Sequence, residues 1–136
     1  MKIYFCGSIR GGRDLAHTYE QIIEMLQGRG SVLTEHVGSN EVIQKNDRIL
    51  SDKEIHDRDL SWIVESDLLV AEVTVPSLGV GYEIGRAIEM GKPVLCLYNE
   101  GSGKPLSAMI AGSDKVEMKL YRQAEEIDGI LEEYFK

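Results

Sequence analysis

Apolar positions along this chain keep two rhythms in turn. Short, nearly continuous apolar runs predict five strands: "KIYFC" (2–6), "SVLTE" (31–35), "DLLVAEV" (67–73), "PVLCLYN" (93–99) and "KVEMKLY" (115–121). The third and fourth are almost unbroken, as strands covered on both faces should be. Between the runs the spacing lengthens to the helical period. Over 14–27, Leu15, Tyr19, Ile22, Ile23 and Leu26 share one face, and Gly28 and Gly30 stop the helix. "SDKE", Ser51 to Glu54, is a capping box that opens a helix running to about Ser66. A third helix covers roughly 80–90 and ends at Gly91 and Pro93, 105–111 suits a short helix, and Ile127, Ile130, Leu131 and Tyr134 mark a last one over 122–135.

Strand and helix therefore alternate throughout, which predicts a parallel sheet with helices on both faces. The expected fold class is α/β: a flavodoxin-like three-layer sandwich with a five-stranded parallel sheet, residues 1–136 forming a single domain. The one long polar connection, "HVGSNEVIQKNDR" (36–48), is either a binding loop or a solvated excursion.

Sheets of this kind bind ligands beyond the carboxyl ends of their strands, where strand order reverses. Here that point falls between the first and third strands, and the two most unusual loops follow those strands. "GSIRGGRD" (7–14) combines glycines, a following helix N-terminus and two arginines, Arg10 and Arg13. Glycine lets backbone approach a ligand closely, and forked guanidinium donors suit phosphate. Asp14 stands where a nucleoside-triphosphate loop carries a hydroxyl ligand for magnesium, so the expected ligand is a small anion such as a monophosphate, without a metal. The alternative is a plain tight turn with surface arginines. In "TVPSLGVGYEIGRA" (74–87), Gly79, Gly81 and Gly85 miss the dinucleotide fingerprint by one residue and follow the wrong strand.

Glu83 falls in what reads as the first turn of the third helix, where the dipole favours an anion, so it is expected to stay ionised. A routine first-turn glutamate is the plainer reading. On helix 51–66, Asp59 and His56 lie within the apolar arc of Ile55, Leu60, Trp62 and Ile63, while Arg58, Ser61 and Glu65 make the solvent face. A carboxylate on a buried stripe is costly unless paired or useful, so Asp59 is either a satisfied structural residue or an acid reaching the cleft. Tyr4, three residues before the glycine turn, is a core tyrosine or one that orients a carboxylate or a sugar. Trp62 and Tyr82 read as packing residues.

Charge narrows the partners. Against 15 Lys+Arg stand 23 Asp+Glu, a net −8, which argues against non-specific binding to nucleic acid or anionic membrane. No apolar run reaches membrane-spanning length and the N-terminus is too short in apolar residues for a signal peptide, so the expected compartment is the cytoplasm. Cys6 and Cys96 read as reduced core thiols. His17, His36 and His56 lack ligand spacing, and neither metal nor cofactor is expected. Two carboxylates in unlike environments beside an anion cradle suit glycosidic cleavage of a nucleotide.

The stretches "YFCGSIRGGR", "VLTEHV", "HDRDLSWIVESDLLVAEVTVPSLGVGYEIGRA" and "LSAMI" resemble the 2′-deoxynucleoside 5′-phosphate N-hydrolases, of the nucleoside 2-deoxyribosyltransferase superfamily. The resemblance implies a hydrolase that splits deoxynucleoside monophosphates into base and 2-deoxyribose 5-phosphate. It implies Glu83 as the nucleophile that forms a covalent sugar intermediate, Asp59 as the acid that helps the base depart, and Tyr4 as the positioning hydroxyl. Gly7, Ser8, Ile9, Arg10, Ser77 and Gly79 would form the phosphate pocket. Ser107, in "LSAMI", would be contributed to a neighbouring subunit, which implies a homodimer. A deoxyribosyltransferase and a non-catalytic, nucleotide-binding flavodoxin-like protein are the alternatives.

Overall fold

All five predicted strands form, in a computed structural model that describes residues 1–9, 13–34 and 50–136, with backbone alone at 13 and 14. In chain order the elements are β1 (Lys2–Gly7), α1 (Arg13–Gln27), β2 (Ser31–Val32), α2 (Asp52–Glu65), β3 (Leu68–Glu72), α3 (Leu78–Glu89), β4 (Val94–Asn99), α4 (Ala108–Ala111), β5 (Val116–Tyr121) and α5 (Glu126–Tyr134). Every pairing is parallel, in the order β2-β1-β3-β4-β5. The chain steps outward from β1 to β2 and then returns to the other side for β3. The reversal thus lies between β1 and β3, as anticipated. The connection 36–48 lies outside the described residues.

Strand alternation divides the core in two. Ile3 and Phe5 of β1, Leu68 and Val70 of β3, and Leu95 and Leu97 of β4 face α1 and α5, meeting Tyr19, Ile22, Leu26, Ile127 and Leu131. Tyr4 and Cys6, Leu69 and Ala71, and Val94 and Cys96 face the other layer, meeting Ile63, Val80, Ile84 and Ala87 of α2 and α3. Successive side chains of a strand point to opposite faces, so one shift in register would exchange the two sets. The predicted faces of α1 and α5 are therefore the packed ones.

Several predicted boundaries move. β2 stops at Val32, and Thr34 takes over its pairing: the Phe5 amide donates to Thr34 Oγ1 at 2.8 Å, and that hydroxyl donates to the Phe5 carbonyl at 2.5 Å. A side chain thus replaces the missing rung. The Ser51 capping box is present, with Glu54 N donating to Ser51 Oγ at 3.1 Å and Ser51 N to Glu54 Oε1 at 3.0 Å. The third helix starts earlier than predicted, at Leu78, because Ser77 caps it by accepting from Val80 N at 3.2 Å. Gly79, Gly81 and Gly85 are then helical residues, which removes any dinucleotide loop.

Cys6 and Cys96 are free and buried, as expected. Cys6 pairs with Ala71 and Ala71 with Cys96, so one strand separates them. Two strand spacings are roughly 9–10 Å, beyond what a disulfide can bridge.

Candidate active site at the switch point

The alternation that sends Tyr4 toward α3 sets the centre of the site. The Tyr4 hydroxyl donates to Glu83 Oε2 at 2.5 Å, across 79 residues of sequence. Tyr4 is 2 % exposed, and burial pushes its own phenol pKa far up, with the Glu83 charge adding to the effect. It acts here as a fixed donor.

Glu83 departs from the expectation. With Ser77 as cap, it is the sixth residue of α3 and not part of the first turn. The dipole acts within that first turn, so it gives Glu83 little. Burial dominates and pushes the carboxyl up to about 7. The Tyr4 hydrogen bond opposes that rise, the Asp59 charge adds to it, and a hydrogen bond from the Cys6 thiol opposes it further. Glu83 therefore exchanges its proton near neutrality instead of staying an anion at all working pH values. A carboxyl poised there can serve as acid, base or nucleophile.

Two cavities meet at Glu83. One, of about 390 Å³, is lined by Gly7, Ser8 and Ile9 from the turn after β1 and by Pro76 to Val80 from the start of α3. The first backbone N–H groups of a helix have no partner within it, so this wall carries donors suited to an anion. Gly7 is required by packing: a Cβ there would stand 2.7 Å from the Tyr19 ring. A Cβ at Gly79 would lie 3.8 Å from Glu83 Oε1, at the junction of the cavities. The other cavity, of about 210 Å³, is lined by Asp52, Ile55, His56, Asp59, Leu60, Gly79, Tyr82 and Glu83.

Of the predicted site residues, Tyr4, Gly7, Ser8, Ile9, Ser77, Gly79, Asp59 and Glu83 come together around these cavities. Arg10 lies outside the described residues, as do the side chains of Arg13 and Asp14. Ser107 does not join them. It occupies the cap position of α4 and lines a separate, apolar cavity of about 400 Å³ with Pro105, Leu106, Met109 and Ile110. That cavity shares Pro76, Ser77, Leu78 and Val80 with the glycine-turn cavity, and Leu78 (97 % exposed) and Met109 (84 %) project from it.

Four residues escape sequence reasoning. Arg58, assigned to the solvent face, lies partly buried over Trp62, 4.8 Å from the ring centroid, and donates from Nε to Asp59 Oδ1 at 3.0 Å. His56, assigned to the apolar arc, is exposed at the cavity rim, where Nε2 lies 2.8 Å from the Tyr82 hydroxyl. Tyr82 is not core packing but 45 % exposed. Glu72, unremarked in its strand, is fully buried and accepts from Thr74 N at 2.8 Å, Thr74 Oγ1 at 2.7 Å and Tyr121 Oη at 2.5 Å. The only available signal was position: Glu72 continues the alternation of Leu68 and Val70 into the α1/α5 face.

Among the described residues no cluster of His, Cys, Asp or Glu could hold a metal ion, and no helix is long and apolar enough to cross a membrane.

Fold and site together define a parallel α/β sandwich with two carboxylates facing a cleft at its switch point. Residues 3–120 match the nucleoside 2-deoxyribosyltransferase family, and the chain belongs to it. It is similar to the 5-hydroxymethyl-dUMP N-hydrolase of Danio rerio, 52% identical over 139 residues that cover 100% of this chain and 96% of the relative. The protein of the same name from Tetraodon nigroviridis is 51% identical over 138 residues, 99% of this chain and 97% of the relative. Among solved structures, a CMP N-glycosidase of Clostridium botulinum shares the fold with a TM-score of 0.73 at 22% identity, covering 98% of this chain and 99% of its own.

Proposed function

We propose that this protein is a 2′-deoxynucleoside 5′-monophosphate N-hydrolase acting on 5-hydroxymethyl-dUMP and related nucleotides. The observation that carries the reading is the position of the Tyr4–Glu83 pair. It stands between a cavity walled by backbone donors and a second cavity holding Asp59, in a chain half identical over its length to enzymes of that name. A cytoplasmic site of action fits the composition.

In this reading the phosphate sits against Gly7 to Ile9 and Ser77 to Gly79, and the resemblance assigns Arg10 a charge-assisted contact to it. The anchored phosphate places C1′ over Glu83. The ionised Glu83 oxygen attacks C1′ as the C1′–N bond breaks, and Asp59 gives its proton to the departing base. Water then attacks C1′, passes a proton to Asp59, and releases Glu83 and 2-deoxyribose 5-phosphate. Tyr4 holds one Glu83 oxygen so that the carboxylate presents a fixed edge. Positioned proton donation contributes typically 10²–10⁴-fold, and remote binding of phosphate can be used to lower the barrier. The attack needs Glu83 ionised, and a carboxyl pushed up to about 7 reaches that state from neutrality upward.

The exposed Leu78 and Met109 beside the Ser107 cavity support a homodimer in which Ser107 reaches the neighbour's phosphate.

Liquid chromatography of 5-hydroxymethyl-dUMP and other deoxy- and ribonucleoside monophosphates, with and without a second free base, tests the reading. Free base and 2-deoxyribose 5-phosphate are expected whether or not the second base is present. Dominant base exchange would make the protein a transferase, and no product from any monophosphate would make it a binding protein. A sugar adduct on Glu83 in rapid-quench mass spectrometry is expected, and Arg10→Ala should raise KM about ten-fold with little change in kcat, as loss of one charge-assisted contact does.

A further inference from the structure

The rim of the Asp59 cavity carries an ordered series of hydrogen bonds that packing does not require. Arg86 Nη1 donates to the Tyr82 hydroxyl oxygen at 2.7 Å while its guanidinium lies 5.6 Å from the same ring's centroid. His56 Nε2 is 2.8 Å from that oxygen, His56 Nδ1 is 2.9 Å from Asp57 Oδ1, and Lys53 Nζ donates to Asp57 Oδ2 at 2.5 Å.

The proton positions follow from the chemistry of each group. A guanidinium only donates, and an ionised carboxylate only accepts. With His56 neutral, Asp57 takes its Nδ1 proton, which leaves Nε2 as an acceptor. Tyr82 accepts from Arg86 and spends its own proton on Nε2. Toward the cavity the Tyr82 oxygen offers a lone pair and no hydrogen.

We propose that the Tyr82–His56 pair selects the 5-substituent of a leaving pyrimidine by accepting a hydrogen bond from it. The inference rests on the N-hydrolase reading. The two cavities share Gly79 and Glu83, so a phosphate in the first and C1′ at Glu83 send the base into the second. There Asp59 is available to the ring, and the outer rim that meets the far edge of the ring is Tyr82 and His56. A 5-hydroxymethyl group carries an O–H donor for Tyr82. A 5-methyl group carries none and offers the remaining Tyr82 lone pair no donor. A 5-formyl group presents an acceptor to an acceptor.

The test is the ratio of kcat/KM for 5-hydroxymethyl-dUMP over dTMP. Loss of one such hydrogen bond is worth about ten-fold, so Tyr82→Phe is expected to lower the ratio by about ten-fold. His56→Ala removes the acceptor that holds the Tyr82 proton. The hydroxyl then turns to donate into the cavity, and the ratio of 5-formyl-dUMP to dTMP is expected to rise several-fold. A structural role would move all three substrates together and leave both ratios unchanged. Unchanged ratios in both variants, with hydrolysis intact, overturn this inference and leave the N-hydrolase reading standing. Failure of the wild-type protein to hydrolyse any monophosphate overturns both.

Discussion

Glu83→Gln should stabilise the fold while destroying the activity proposed for it, and the gain should depend on pH. The carboxyl is pushed from 4.5 up to about 7 in the folded protein, chiefly by burial. Below pH 4.5 folded and unfolded chains both carry the proton, and Glu83 adds no pH dependence. As pH rises from about 4.5 to 7, the unfolded chain releases the proton while the folded chain keeps it, so stability falls. Above about 7 the loss is complete. A difference of some 2.5 pH units corresponds to about 3 kcal/mol at 1.36 kcal/mol each. Gln is neutral at every pH and keeps a carbonyl oxygen for the Tyr4 hydroxyl. The variant should therefore match the wild type near pH 4.5 and exceed it by about 3 kcal/mol at pH 8. For a chain of this size that is roughly 10 °C in Tm. Urea unfolding of both proteins at the two pH values checks it, since titrating groups that do not interact with Glu83 cancel in the difference. An equal wild-type-to-variant gap at both pH values would refute the claim that Glu83 is ionised at a cost. Hydrolysis by the variant should fall by several orders of magnitude.

Three further outcomes follow from the same geometry. Tyr4→Phe removes a donor that holds the Glu83 carboxyl down, so the rising limb of kcat/KM against pH should move up by about one pH unit, read from a pH–rate profile. Glu72→Ala strands the buried Thr74 and Tyr121 donors and should cost about 3 kcal/mol or more in urea titrations, whereas Glu72→Gln, which keeps an acceptor, should cost less. Gly7→Ala drives a Cβ to 2.7 Å from the Tyr19 ring and should cost about 1–3 kcal/mol in urea titrations while raising KM for the monophosphate through displacement of the turn.

Burial period made the five strands and the packed faces of α1 and α5 legible, because a side chain's hydrophobicity is a property it carries wherever the chain goes. The switch point was legible because strict alternation of strand and helix fixes where strand order reverses, whereas the need for glycine at position 7, where a Cβ would stand 2.7 Å from the Tyr19 ring, is a tertiary contact. The Ser51 capping box was read correctly because its partners lie three residues apart. α3 starts two residues before the predicted position because the Ser77 hydroxyl caps it, which outweighs the weak helix propensity of Gly79 and Gly81. That small difference has a large consequence, because it puts Glu83 beyond the reach of the helix dipole.

What sequence alone determined here is a parallel α/β sandwich whose strand order reverses between the first and third strands, since strand and helix patterning rest on residue types and local spacing. Only the tertiary structure decided that burial pushes the Glu83 carboxyl up to about 7, that Arg58 donates to Asp59, and that the Tyr82 hydroxyl meets His56 and Arg86 at a cavity rim. Each of those depends on which groups share a few ångströms of poorly solvated space. Such neighbours come from separate segments, Tyr4 and Glu83 being 79 residues apart, and no pattern along the chain records that they meet.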